Sequence, residues 1–140
     1  MCKRIGILSG LGAAAGVRFL DMLVKECQNR GASKDSDFPE IVLFNMSSEG
    51  MDETGIIKPD IMKEDMLNGI SFLDNCQVEV ILIACNSVYV YYDYLQDHSF
   101  AKIINMPKVA MKFCGENYGV LCSRSTEKAH FCSVWREIKQ

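Results

Sequence analysis

Residues 78–89 read VEVILIACNSVY, and they constrain the fold more than any other stretch of the chain. Val80, Ile81, Leu82 and Ile83 form an unbroken apolar, mostly β-branched run that stops abruptly at Ala84-Cys85-Asn86-Ser87. A strand with this pattern is buried on both faces, as in a parallel sheet covered by helices. The polar group after it then lies at the strand's carboxyl end, where open α/β sheets bind their ligands. A thiol beside an amide and a hydroxyl, at the mouth of a buried strand, has the makeup of a nucleophile or base with its substrate-holding neighbours. The same residues also suit a buried cysteine followed by a helix cap, since free cysteine is among the most buried residue types.

The remaining chain alternates strand and helix. Residues 4–8 predict a short strand, and Ser9-Gly10-Leu11-Gly12 a glycine turn. Residues 13–29 place Val17, Leu20, Leu23, Val24 and Cys27 at helical spacing. A polar loop over 31–39 leads to a second strand at 40–46, and a loop rich in Ser, Gly and acidic residues spans 47–58. Pro59 suits a helix's first turn, with Met62, Met66, Ile70 and Leu73 as the buried stripe behind it. After the apolar run, Val88, Tyr91, Tyr92 and Leu95 repeat at three to four residues and predict a further helix. Residues 101–106 and 118–122 predict a fourth and a fifth strand, and 125–139 a last helix capped by Ser125 or Thr126. This alternation predicts an α/β fold: a parallel sheet flanked by helices in three α/β/α layers, with strand 1 central.

Composition narrows the function. The length of 140 residues suits one domain with a sizeable core. A net charge of −3 gives no reason to expect nucleic acid or a membrane as partner. The N-terminal MCKRIGILSG has no apolar core of signal-peptide length. The seven cysteines include no C-x-x-C pair, which speaks against a zinc ribbon or a thioredoxin motif. A cytoplasmic location with reduced thiols is therefore expected. His98 and His130 have no partner spacing for a metal, and none is expected.

The glycine turn is the second chemical feature. Gly10-Leu11-Gly12-Ala13-Ala14-Ala15-Gly16 joins the first strand to the first helix. Glycines there let backbone approach a ligand, and the free N–H groups of a helix start attract anions. As a dinucleotide fingerprint it is defective, being G-x-G-x-x-x-G with Asn45-Met46-Ser47, not an acid, closing strand 2. A carboxylate, a nucleotide phosphate, or close helix–strand packing alone would each use these glycines.

In this order, the blocks resemble the aspartate/glutamate racemase superfamily of cofactor-independent amino-acid racemases. IGILSGLGAAAGVRFLDMLV is similar to its opening segment, and DSDFPEIVLFNMSSEGMDETGI to the second-strand block with its D-x-T loop. VILIACNSVY resembles the A-C-N-T-x-H block around the first catalytic cysteine, and YGVLCSRSTEKAHF the opening of the second domain. Four departures stand out. Ser9 replaces a Gly, Ala13 the usual Pro, Tyr89 a His, and Glu53 the Arg that many aspartate-type members carry. Such an Arg would pair with a substrate's side-chain carboxylate. Glu53 would repel it.

The resemblance implies racemisation without pyridoxal phosphate or any other cofactor, by two opposed cysteines acting on Cα. Cys85 would be the catalytic thiol. Its place at a helix start predicts a lowered pKa. Ser9, Gly10, Leu11, Glu53, Thr54, Asn86 and Ser87 would bind the substrate, a small amino acid. Residues 1–115 would form the racemase-like domain, and 116–140 the truncated start of a second one, without that domain's cysteine block. One half-site alone predicts impaired racemisation, and an uncovered second-domain start predicts a homo-oligomer. A non-catalytic amino-acid-binding module is the alternative, and a nucleotide-binding domain a more distant one.

Overall fold

The computed structural model describes residues 3–114 together with Thr126 and Glu127. Four parallel strands form the central sheet: β1 (Ile5–Ser9), β2 (Ile41–Asn45), β5 (Val80–Ile83) and β6 (Lys102–Ile103). Their order is β2-β1-β5-β6, so β1 lies between two partners, as the alternation of strand and helix predicted. It pairs Ile5 with Ile41 and with Val80, and the register runs up to Ser9 opposite Asn45. Between these strands lie α1 (Ala13–Asn29) and α2 (Pro59–Asn75), which begin where the glycine turn and Pro59 placed them. After β5 come a 3-10 turn (Ser87–Tyr91) and then α3 (Tyr92–Asp97).

Alternation along β1 sorts the two sheet faces. Gly6 and Leu8 face α2: a Cβ on Gly6 would stand 3.2 Å from Leu73, and one on Gly69 would stand 2.6 Å from Leu8. Ser9 faces α1, where Gly16 lies against it. The α2 side holds the main core, with Leu8, Met62, Met66, Ile70, Leu73, Ile81, Ile83, Leu95 and Ile103 all buried. Burying each such side chain is worth about 1.5–3 kcal/mol, which fixes α2 and α3 on one face. On the opposite face α1 buries only Gly16 fully.

Short polar clamps finish the sheet edge. Asp74 at the end of α2 accepts hydrogen bonds from the amides of Phe100 and Ala101, both at 3.1 Å. The Gln96 side chain accepts from Ile103 N–H at 2.9 Å and donates to the Ala101 carbonyl at 3.1 Å. The two-residue β6 thus has its outer backbone groups satisfied by a side chain.

Two expectations need correction. The segment expected as one loop over 47–58 contains an antiparallel hairpin, β3 (Met51–Asp52) with β4 (Gly55–Ile56). The expected strand over 101–106 is only Lys102–Ile103, and α4 (Met106–Met111) comes after it. Asn105 caps α4 by accepting from Lys108 N–H at 3.0 Å, and Pro107 sits in its first turn, so the chain turns out of the sheet there. The fifth strand at 118–122, and the segment 116–140 expected to begin a second domain, lie outside the described residues, as does the helix at 125–139 apart from Thr126 and Glu127.

Gly10 fixes where the site lies. It has φ 105°, and a Cβ there would stand 1.8 Å from the Met46 carbonyl oxygen. The turn after β1 and the segment after β2 are therefore in backbone contact. Gly10→Ala is expected to cost more than about 3 kcal/mol, from left-handed strain and overpacking together. Gly31→Ala, also at a positive φ but with open space for its Cβ, should cost only about 1–2 kcal/mol. Urea unfolding of both variants, at unchanged slope, checks the difference. Equal costs would mean that the Met46 backbone yields.

Candidate active site

Three segments leave the sheet at the same edge, after Ser9, after Asn45 and after Ile83. The hydrogen-bond ladder reaches to that edge: Met46 N–H donates to Ser9 O and Ala84 N–H to Leu8 O, each at 2.9 Å. Gly10 and Cys85 therefore emerge from adjacent strands, which lie about 5 Å apart in a sheet.

The glycine turn ends in Gly12, the N-cap of α1, in the left-handed region at φ 101°. No side chain caps this helix, and its first turn holds no acidic residue. The partial positive charge of a 17-residue helix thus meets no carboxylate of its own there. In front of it opens a cleft of about 380 Å³, lined by Gly10, Leu11, Gly12, Ser48, Met51, Asp52 and Glu53. That volume falls within the range of about 300–1,000 Å³ usual for small-molecule sites.

The hairpin β3–β4 brings the acids. Asp52 accepts from the Thr54 amide at 2.8 Å and from the Thr54 hydroxyl at 2.7 Å. The Thr54 hydroxyl, with the backbone amide, holds the Asp52 carboxyl below the usual carboxylate range. Asp52 is thus ionised and tied into its own turn, and Thr54 spends its hydroxyl on Asp52. Glu49 is paired with Lys58 at 3.2 Å. Among the described residues the Glu53 carboxylate has neither a hydrogen bond nor an ion pair.

Cys85 is half-buried at the end of β5. Burial pushes its thiol above the ordinary cysteine value, and the backbone amides of Val88 and Ser87 oppose the rise without cancelling it. The lowered pKa expected from a helix start is overturned. Cys85 leads into a five-residue 3-10 turn, too short to build a strong dipole, and desolvation wins. Asn86 is exposed, and its carbonyl accepts from Tyr89 N–H at 3.2 Å. The Ser87 hydroxyl accepts from that of Thr126 at 3.3 Å, so a residue distant in sequence reaches this loop. Tyr89 is buried, and its hydroxyl lies 3.0 Å from the Ile104 carbonyl and 3.3 Å from that of Ile83. Burial holds this phenol protonated far into the alkaline range. It clamps the ends of β5 and β6 and supplies no base.

The structure brings together Gly10, Leu11 and Glu53 of the residues expected to bind substrate. Thr54, Asn86, Ser87 and Cys85 are not among the described residues that line the cleft. Ser9 is 1% exposed, with its hydroxyl under Gly16 and without a hydrogen-bond partner. Its side chain points away from the cleft, because β1 alternation puts it on the α1 face with Ile5 and Ile7. Gly12 of the glycine turn lines the cleft too, and so do Ser48, Met51 and Asp52, which do not stand out in the sequence as site residues. The D-x-T spacing of an Asx turn was the available signal for Asp52.

The chain matches no family model. A stretch of 109 residues, 77% of the chain, is 28% identical to the broad specificity amino-acid racemase RacX of Bacillus subtilis (strain 168) and spans 48% of it. An aspartate racemase from Picrophilus torridus shares the fold at a TM-score of 0.71 and 22% identity, over 96% of this chain and 58% of that one. An aspartate racemase homologue from Pyrococcus horikoshii OT3 does so at 0.66 and 14% identity, over 79% and 48%. The chain shares the fold of these racemase structures. It spans about half the length of the curated relative it matches.

Tyr89 stands where the resemblance sets a His, and it is a structural clamp. At pH 7 Cys85 is expected to react with iodoacetamide more slowly than the exposed Cys114, because the thiolate is the nucleophile and burial depletes it. The gap should narrow as pH rises. Peptide mass mapping of a labelling time course reads this directly. Faster labelling at Cys85 would show that the loop opens to solvent and that desolvation does not govern the thiol.

Proposed function

We propose that this chain holds a free amino acid at the carboxyl edge of its sheet and that Cys85 exchanges the Cα proton. The observation that carries the reading is the uncapped N-terminus of α1 facing the cleft, beside the strand that delivers the one thiol of this edge among the described residues. The amides of Gly10, Leu11 and Gly12 would take the α-carboxylate. Asn86 and Ser87 would orient the ammonium group and Cα toward the sulfur. The sequence match to an amino-acid racemase supports the substrate class. No cofactor is needed for such a transfer.

The proton moves from Cα to the Cys85 thiolate, and the electron pair left on carbon delocalises into the carboxylate. Racemisation then needs an acid on the opposite face of Cα. No second thiol stands at this edge among the described residues, so the proposed activity of residues 1–115 is one-sided exchange, with the opposite acid contributed from outside them. A general base is worth about 10²–10⁴-fold.

A second reading, an amino-acid-binding module without catalysis, is favoured by the burial of the thiol and its place outside the cleft lining. Phosphate ligands fit poorly, because Asp52 and Glu53 share the cleft with the helix start.

Incubation of amino acids with the protein in D₂O, then mass spectrometry, separates the readings. Deuterium should enter Cα at a rate that Cys85→Ser lowers by about 10²–10⁴-fold. The rate should climb with pH by about tenfold per unit while the thiolate is the minor form. Binding without exchange leaves the module reading. Exchange that survives Cys85→Ser overturns the role of the thiol.

A further inference from the structure

We infer that Tyr89 is a positioning residue for Cys85: its phenol closes the loop 84–88 onto the ends of β5 and β6 and so sets how far the sulfur reaches solvent. The inference deepens the reading of Cys85 as the proton-exchanging thiol, and it rests on that reading for its catalytic consequence.

The sheet ladder gives out just below this loop. The Ile104 N–H donates to the Ile81 carbonyl at 2.9 Å, and β5 ends at Ile83. Past that rung the carbonyls of Ile83 and Ile104 share one donor, the Tyr89 hydroxyl, at 3.3 Å and 3.0 Å. A phenol carries a single proton, so the two carbonyls divide it between them. Tyr89 is 2% exposed, and water does not compete for that proton. A buried carbonyl left without a donor is costly, which holds the phenol where it is. Ile83 precedes Cys85 in the chain and Tyr89 follows it, so the bond between them closes a ring of backbone around the thiol.

Tyr92 makes the instructive contrast. Its ring stacks on that of Tyr89 with centroids 6.4 Å apart, and its hydroxyl donates to the Ile103 carbonyl at 3.2 Å. The two phenols thus hold neighbouring carbonyls of one segment, but the bond to β5 belongs to Tyr89. Tyr92 ties the start of α3 to β6, whereas Tyr89 ties down the loop that carries the sulfur. With the loop shut, burial raises the thiol against the pull of the Ser87 and Val88 amides. The titratable groups that bear on the phenol are Cys85 and Tyr92, and the phenol keeps its proton at neutral pH. Its bonds therefore hold the loop shut under the conditions in which a thiolate is needed.

Iodoacetamide labelling of Cys85, normalised to the exposed Cys114 of the same molecule and followed over about pH 6 to 9, compares the natural protein with Tyr89→Phe and Tyr92→Phe. Tyr89→Phe keeps the ring and its packing and removes the shared proton. Cys85 should then label about two- to tenfold faster, the range that one hydrogen bond supports. The midpoint of its pH profile should move down toward the ordinary cysteine value. Tyr92→Phe, which spares the bond to Ile83, should leave rate and midpoint near those of the natural protein. Unchanged labelling of Cys85 in Tyr89→Phe, or an equal rise in Tyr92→Phe, overturns the positioning role. Deuterium entry at Cα of added amino acids should rise with labelling in Tyr89→Phe. No deuterium entry in any of the three proteins, with the labelling contrast intact, overturns Cys85 as the exchanging thiol and leaves Tyr89 as the residue that positions it.

Discussion

The contact between Gly10 and the Met46 backbone is the constraint on which the rest of this edge depends. A side chain at residue 10 would collide with the Met46 carbonyl, and the φ of 105° excludes most residues in any case. The turn after β1 can therefore lie against the segment after β2 only with glycine there. That closeness places the start of α1 opposite the β3–β4 hairpin and so creates the cleft. The central position of β1 does the rest, since pairing with β5 on its other side brings Cys85 to the same edge.

Electrostatics then divides the edge into two unlike parts. The cleft is exposed, with a helix start on one side and two carboxylates on the other. The Cys85 loop is drier, with Tyr89 beneath it fixed to the ends of β5 and β6. Burial disfavours the thiolate, so proton exchange at Cα depends on a change in the loop that exposes the sulfur. The Thr126–Ser87 hydroxyl contact brings Thr126 to this loop. The environment of the thiol is thus not set by the first 115 residues alone.

Much of the fold was legible because its signals are long or chemically sharp. The run at 80–83 could be nothing but a buried strand in this context, and α1 and α2 carried apolar periodicity with a glycine turn or a proline at their starts. What escaped was short. The β3–β4 hairpin has two residues per strand, fewer than one alternation of the side-chain pattern, and α4 was hidden by the apolar tail of β6 despite the Asn105–Pro107 start signal. Gly10 and Leu11 were expected at this edge from the glycine turn and Glu53 from the resemblance of its loop block, and all three line the cleft. Ser9 and Thr54 lie off the cleft because a hydroxyl close to a site in sequence need not face it. Strand alternation turned one toward α1, and an Asx turn consumed the other. The direction of the thiol's pKa was not legible, because position at a helix start is visible in sequence while burial is not.

The central claim is that the glycine turn, the hairpin and the Cys85 loop act as one amino-acid site. A titration of the isotope-labelled protein with a panel of L-amino acids, read through amide chemical shifts, tests it most directly. The account predicts shifts that saturate together at Leu11, Gly12 and Ala13, at Asp52 and Glu53, and at Cys85, Asn86 and Ser87. Shifts confined to the opposite end of the sheet, where a cavity of about 560 Å³ lies among Leu23, Cys27 and Arg30, would contradict it.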